Sequence, residues 1–405
     1  MSLRVLIISH MYPNQVNPVS GIFVHNQAKS LQKAGIRVRV VSPIPRFPLY
    51  PKWKGYRKMA LQTRLEGIDV QYVPTLMFPG GFFFSNYGRF YTASLQQAIP
   101  AIQREFPFDL IHAHTIFPDG YAAGILKRSF QVPVVSTIHG SDIMLYPKRN
   151  KSVYRKTLQA LQMNDRIITV SGRLLAEAER MAPGIEAKTI YNGFDPSRFY
   201  PIRQQKAREQ LGISGRKKVL LFVGNLLPVK GVDLLLTAFA KVAAEDPDLH
   251  LYLVGDGPLR RTLAEQSARQ GIQAQTHFMG RRPYEEIPAW INSADALVLA
   301  SRSEGLPSIL LESMGCGKPM VCTDVGGIAE ILRDGETGFL VEPGNTGQLA
   351  ERLRQILVES PELARSMGER AFQMSKALTW EQNAQNTIQL YEQVLAVNGL
   401  KRDPE

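Results

Sequence analysis

The sequence predicts an α/β protein made of two doubly wound parallel sheets in tandem. Three observations predict it. Short apolar runs alternate with helical spacings along the chain, the rhythm of a parallel sheet with helices on both faces. That rhythm stops at YNGFDPSRFYP (191–201), a turn-rich stretch with Asn-Gly and Asp-Pro, and then restarts. The length of 405 residues also exceeds what one hydrophobic core serves, so two domains near ~200 residues each are expected.

In the first half, LRVLIIS reads as a buried first strand. Residues 21–34 have helical spacing and stop before Gly35, and IRVRVVS is the next strand. Further strands are expected at 67–73, 109–114, 133–139 and 166–171, with helices at 86–105, 118–129, 152–163 and 172–181. Residues 43–60 break the pattern. In the second half, strands are expected at 217–224, 249–255, 275–280, 295–301, 319–323 and 338–343. Helices are expected at 231–245, 257–270, 284–292, 307–315 and 345–357, with a last one from Trp380 to about Val397. In such sheets ligands bind beyond the carboxyl ends of the strands, and the cleft between two domains is the default site.

Composition narrows the class. At 44% hydrophobic and 21% charged, the chain reads as a soluble globular protein. The opening apolar run is too short for a signal peptide's core, and no run is long enough to span a membrane. Cys316 and Cys322 have no metal-ligand pattern around them, and a cytosolic protein with reduced core thiols is expected. Residues 1–200 carry 25 Lys/Arg against 11 Asp/Glu, whereas residues 201–405 carry 23 against 25. The first half is therefore built to meet something anionic.

Several motifs sit where a strand hands over to a helix. VGNLLPVKG (223–231) places Lys230 at a helix N-terminus, a poor place for a cation unless an anion is bound there. The alternative is a solvated loop lysine. VGDGPLR (254–260) repeats the arrangement but is no dinucleotide fingerprint, because position 260 is arginine. It reads equally as a well-capped turn. In SRSEGLPSILLE (301–312), Pro307 is placed to open a helix, so Glu304 lies in the loop before it and Glu312 about 7.5 Å along its axis. The free N–H groups of 305–308 would point out between the two carboxylates. One elongated ligand bearing hydroxyls and phosphate would suit them, and so would plain N-terminal helix acids favoured by the dipole.

The glutamate pair, within SRSEGLPSILLESMGCGKPMVCTDVGGIAEIL, resembles the signature of family 4 glycosyltransferases. Ser20–Gly21, HGSDI (139–143), NGFD (192–195), VGNLLPVKG, GDGP (255–258) and FMGRRPYEEIP (278–288) follow in the expected order over nearly the whole chain. MYPNQVNPVSGIFVHNQAKSL and HAHTIFPDGYAA (112–123) look closest to bacterial cell-surface polymer enzymes such as teichuronic acid glycosyltransferases. The resemblance implies the GT-B fold, two Rossmann-like doubly wound domains facing across a cleft. Residues 1–195 would form the acceptor-side domain, joined late by helix 380–397, and 196–379 the nucleotide-sugar-binding domain.

The resemblance also implies roles. Glu312 would bind the ribose hydroxyls. Glu304 would bind the transferred sugar, with the backbone of Gly305, Leu306 and Pro307 on its hydroxyls and Ser308 nearby. Lys230 would hold the diphosphate, which Gly21 approaches. His139 would face the sugar, and Arg281 and Arg282 would lie beside the base. His139, Lys230 and Glu304 form the expected catalytic set. Asn225 departs from the pattern, since the family usually has a basic residue there. Transfer would be retaining and metal-independent, on the front face, with the leaving phosphate taking the acceptor's proton. No cofactor is expected. The only Asp-x-Asp, Asp246–Asp248, falls at a strand's amino end, the wrong end for a ligand. His25, His114 and Asp142 are the candidate acceptor-side residues, Asp142 reading equally as a helix cap. His10 and His25 would line the cleft near the first glycine loop. His112 and His114 share one strand face, with no third metal ligand evident.

RFPLYPKWKGYRKMALQTR (46–64) mixes Lys and Arg with Phe47, Tyr50, Trp53 and Tyr56, and FPGGFFFSNYGRFY (78–91) adds a second aromatic cluster. Aromatics beside cations suit an anionic membrane surface, and the alternative is a loop packed on its own domain. Nucleic acid is not expected, because no binding motif accompanies the charge. The expected partners are a nucleotide sugar, its base taken as uracil, and a glycan or polyprenyl-linked acceptor. The expected location is cytoplasmic, on the inner face of the cytoplasmic membrane. Two other classes fit part of the pattern. A nucleotide-sugar 2-epimerase of the same fold would need no acceptor, and a non-catalytic nucleotide-sugar-binding subunit would not need Glu304, Glu312, Lys230 and His139 together.

Overall fold

A computed structural model describes residues 2–47, 50 and 53–399. The chain divides into two compact units. One comprises the chain up to Gly193 with the last helix, Trp380–Val397, and the other is Phe194–Thr379. Phe194 belongs to the second unit for a packing reason. Its N–H donates to Leu378 O at 3.1 Å, and its ring fills the space where a Cβ on Gly315 would lie 2.3 Å away.

The first unit holds eight strands: β1 (Arg4–Ile8), β2 (Arg37–Arg46), β3 (Gln62–Leu65), β4 (Ile68–Leu76), β5 (Leu110–His114), β6 (Val134–Ile138), β7 (Arg166–Thr169) and β8 (Ala187–Thr189). Their order is β3-β4-β2-β1-β5-β6-β7-β8, parallel except for the β3/β4 pair. Alternation along β1 sends Val5 and Ile7 into one core cluster and Leu6 and Ile8 into the other, so both faces of the sheet are covered. The order reverses at β1, between β2 and β5.

The last helix returns to this unit. It contributes Ala384, Leu390, Tyr391, Val394 and Leu395 to the core behind β1 and β2. Gln27 Nε2 donates to Asn383 Oδ1 at 2.8 Å, and Asn383 Nδ2 donates to Tyr191 O at 2.7 Å. Tyr391 Oη meets His112 Nδ1 on β5 at 2.6 Å.

The second unit holds β9 (Lys218–Val223), β10 (Leu249–Val254), β11 (Thr276–Gly280), β12 (Ala296–Leu299), β13 (Met320–Thr323) and β14 (Gly338–Val341). The order is β11-β10-β9-β12-β13-β14, with parallel pairing throughout. Here the order reverses between β9 and β12.

Several features depart from the expected elements, among them helix Gln204–Leu211, which was not expected. β2 runs through Pro43 and Pro45 to Arg46, where an irregular stretch was expected. Both prolines lie beyond Val41, the last residue paired with β1, so that side of the strand needs no further N–H donors. β3 is a short edge strand whose first three residues, Gln62, Thr63 and Arg64, are exposed, with Leu65 alone packed on the core, so no hydrophobic alternation announces it. β8 has only three residues. Helix Pro361–Ser375 was not expected, although Ser360, Pro361 and Glu362 are proper start signals. Cys316 and Cys322 are buried and free, and burial pushes both thiols up.

Candidate active site

The switch point of a doubly wound sheet leaves a crevice, because the loops on either side of it diverge. In the second unit these are the loops after β9 and β12. The β9 loop runs to Gly231, which caps helix Val232–Ala243 in the left-handed region at φ 61°. A Cβ there would lie 1.9 Å from Ala300 O, so only glycine lets this loop press against the end of β12. Arg302 then ties the two loops together. Its guanidinium donates to both Asp233 carboxylate oxygens at 2.9 and 2.7 Å and to Pro228 O at 2.6 Å, and its N–H donates to Val229 O at 2.8 Å.

Across this junction Lys230 meets Glu304. Lys230 Nζ donates to both carboxylate oxygens, at 2.7 and 2.9 Å, and Ser301 Oγ donates to Oε1 at 2.6 Å. The lysine side chain is 23% exposed and the glutamate's 8%. A pair this sheltered keeps more of its Coulomb energy than a surface pair, and removing either partner strands the other's charge. Lys230 is thus not a solvated loop lysine, and among the described residues its ammonium pairs with Glu304.

Pro307 caps helix Ser308–Gly315. Among the described residues, the N–H groups of Gly305 and Leu306 find no acceptor in the protein. Gly305 O accepts from Gly327 N at 2.7 Å, which fixes the loop from behind. Gly305, Leu306 and Pro307 are buried and Ser308 is half-buried. Glu312 lies on the same helix, 6% exposed, and accepts a hydrogen bond from Tyr284 Oη at 2.8 Å. Arg198 stacks on the Tyr284 ring at 4.9 Å. Burial pushes the Glu312 carboxyl up to about 7, against the opposing pull of Tyr284 and Arg198. Asn225 is exposed, as is Arg281, while Arg282 packs over Trp290 at 5.8 Å. Asp246 pairs with Lys218 at 2.8 Å before the amino end of β10, far along the strand from the site end.

In the first unit, Gly21 repeats the Gly231 device. It caps helix Ile22–Lys33 at φ 59°, and a Cβ would lie 2.0 Å from Met11 O. His139 follows β6 and is half-buried. Its Nε2 meets His114 Nδ1 at 3.1 Å, Phe23 packs on its ring at 4.7 Å, and burial together with nearby His10 pulls it down to about 3. His139 is therefore a neutral imidazole at physiological pH.

The expected acceptor-side residues His25, His114 and Asp142 lie deep in the first unit. His25 is 1% exposed and bonded to Tyr12 Oη at 2.7 Å. His114 is fully buried between His112 and His139. Asp142 is fully buried and accepts N–H bonds from Ile116 (2.8 Å), His139 (3.1 Å) and Gly140 (2.9 Å). All three side chains are buried in the first unit. Tyr284, Ser301, Arg302 and Asp233 were missed by sequence reasoning. Tyr284 stood inside the quoted FMGRRPYEEIP, but only the fold brings it to Glu312.

Known proteins share both the sequence and the fold. Residues 20–198 match the family model described as Glycosyltransferase Family 4, and residues 203–374 match the model described as Glycosyl transferases group 1. The chain is 30% identical to the putative teichuronic acid biosynthesis glycosyltransferase TuaC of Bacillus subtilis, over 87% of this chain and 88% of that one. The chain is a family 4 glycosyltransferase. N-acetyl-alpha-D-glucosaminyl L-malate synthase of Bacillus anthracis is 31% identical over 69% of this glycosyltransferase and 73% of its own length. Sucrose-phosphate synthase of Thermosynechococcus elongatus superposes with a TM-score of 0.83 at 22% identity, covering 98% of this chain and all of that one. Anabaena HepE, solved with UDP-glucose, gives 0.73 at 21% identity over 96% and 100%. These likenesses establish the GT-B fold.

The Glu312 environment makes a testable statement about stability. Its folded value lies above the unfolded one, so the native state holds a proton that the unfolded chain releases between about 4.5 and about 7. The stability this contributes is complete below about 4.5 and is lost as pH rises through about 7. Unfolding measured at ~pH 5 and ~pH 8 should show a loss on the order of 1–3 kcal/mol in the native chain that Glu312→Gln lacks. Equal pH dependence in both proteins would contradict the assignment.

Proposed function

We propose that this glycosyltransferase moves a sugar, with retention and without a metal, from a UDP-sugar to a glycan or lipid-linked acceptor in cell-surface polysaccharide synthesis. The observation that carries the reading is the Lys230–Glu304 pair at the switch point, with Glu312 farther along the helix that Glu304 precedes. A cation, free N–H donors and two carboxylates in that order match a ligand with phosphate, sugar and ribose segments. Lys230 offsets charge on the departing diphosphate. Glu304 and the N–H groups of Gly305 and Leu306 take the sugar hydroxyls. Glu312, oriented by Tyr284, takes the ribose hydroxyls, and Arg281 and Arg282 flank the base. UDP is favoured because the Anabaena neighbour was solved with UDP and with UDP-glucose. A surface-polymer acceptor is favoured by the name of the Bacillus subtilis relative.

Retention would proceed on one face of the sugar. The bond from the anomeric carbon to phosphate oxygen breaks with its electron pair going to phosphate. The acceptor oxygen bonds the same face, and its proton passes to the departing phosphate. Lys230 is what makes that leaving group stable. His139, as a neutral imidazole, is suited to hydrogen-bond a sugar hydroxyl.

The first unit's surface supports docking on an anionic membrane. Phe82 and Phe83 are 73% and 62% exposed, an unusual cost for adjacent phenylalanines unless something covers them. Phe78 joins them to Phe47, with ring centroids 5.0 Å from Phe83 and 5.2 Å from Phe47. Arg149 stacks on Phe84 at 4.3 Å, and Lys148, Lys151 and Arg155 are exposed beside it. Within the basic stretch 46–64, Pro48, Leu49, Pro51 and Lys52 lie outside the described residues. Among the described residues, no helix is long and apolar enough to cross a membrane.

Incubation with a panel of nucleotide sugars, first alone and then with membrane extract, tests the transferase reading. Slow nucleotide release should identify a UDP-sugar, and extract should accelerate it. Glu312→Ala should chiefly weaken nucleotide binding, by roughly tenfold or more, and Glu304→Ala should chiefly lower kcat. Wild-type activity in both variants would refute the site, and epimerised donor as the sole product would refute transfer. In flotation at low salt, the protein should rise with anionic vesicles but not neutral ones, and Phe82→Ser/Phe83→Ser should abolish that. No flotation of the native chain would refute docking.

A further inference from the structure

The first unit carries its own ion pair across its own switch point. His10 follows β1, and Asp119 follows β5, the strands between which ligands bind in such a sheet. His10 Nδ1 lies 2.6 Å from Asp119 Oδ2, and the same oxygen accepts from Thr115 Oγ1 at 2.9 Å. Asp119 is fully buried, and its Oδ1 has no hydrogen-bond partner among the described residues. A buried carboxylate this poorly satisfied needs a cation beside it. Among the described residues, the ring of His10 is the cationic partner that meets its bonded oxygen, and the His10 backbone N–H reaches the same oxygen at 3.4 Å. The His10 side chain is 21% exposed, and its hydrogen bond to Asp119 is made through Nδ1, which leaves Nε2 on the other side of the ring.

We propose that His10 is an anion-binding residue, held as an imidazolium by Asp119, whose Nε2–H donates to a phosphate or carboxylate oxygen of a substrate. Asp119 acts through it as a positioning residue. The neighbourhood agrees. Met11, the next residue, presses its carbonyl onto Gly21 at the N-terminus of helix Ile22–Lys33, which has no acidic residue in its first turn. Burial alone would pull His10 down, but Asp119 outweighs it and holds the ring above its ordinary 6.5. The other titratable groups around it are Asp142, pushed up to about 6 by burial, neutral His139, and the tyrosines Tyr91 and Tyr146, both raised by burial. None of them supplies a second positive charge. The inference deepens the transferase reading by adding a recognised charge on the substrate, and it is tested without turnover.

The probe is inorganic phosphate, followed by NMR of the histidine ring nitrogens in the native chain. Addition of phosphate should shift the His10 resonances and raise the pH at which that ring titrates. His10→Gln should weaken phosphate binding roughly tenfold. Asp119→Asn should let His10 titrate at lower pH, with phosphate binding lost correspondingly earlier as pH rises. Under turnover, a donor source for the anion would show as weaker UDP binding in His10→Gln, and an acceptor source as a raised acceptor KM with unchanged UDP affinity. Undisturbed His10 resonances at saturating phosphate would overturn the proposal. So would activity that grows as His10 loses its proton, the signature of a base. Neither result would touch the nucleotide-sugar assay, whose own failure would appear as absent UDP release.

Discussion

The Lys230–Glu304 ion pair is the interaction on which the second unit's site depends. It joins the loops of β9 and β12, the two strands at which the sheet reverses direction. Everything nearby serves that contact. Gly231 lets the first loop approach Ala300, Arg302 and Asp233 hold the loops in register, and Ser301 fixes the carboxylate from the other side. The result is a cation whose position is set before any ligand arrives. That is the condition under which a charge stabilises a leaving group without paying reorganisation at the moment of transfer.

The two units solve the same geometric problem with different chemistry. In the second, a lysine and a glutamate meet across the reversal. In the first, His10 and Asp119 do so, and the three histidines beyond them are neutral. Tyr391 from the last helix and Thr137 on β6 occupy both ring nitrogens of His112, which stacks on His114, which in turn meets His139. The last helix therefore does more than cover a sheet face, because it anchors the column of rings that ends at His139.

Much of this was legible in the sequence, and the exceptions have physical causes. The alternation of apolar runs and helical spacings located most of the long elements, because each sheet is buried on both faces, but it missed helix Pro361–Ser375. It could not locate β3, whose first three residues are polar and exposed, or the extension of β2 through two prolines, which depends on where β1 ends. Lys230, Glu304 and Glu312 stood out through a resemblance, and their spacing alone left them open to a bland reading. The partners Tyr284, Ser301 and Asp119 are ordinary residues until the fold brings them to the site. The burial of the histidines was not legible either. A histidine's exposure cannot be read from its neighbours in sequence, and His25 and His114 proved to be core residues.

The most direct test of the central claim is calorimetric titration with UMP and UDP. If Lys230 receives the diphosphate, UDP should bind wild-type protein at least about tenfold more tightly than UMP, and Lys230→Met should abolish that increment while leaving UMP affinity nearly unchanged. Equal affinity for the two nucleotides in the wild type, or an increment that survives in Lys230→Met, would contradict it.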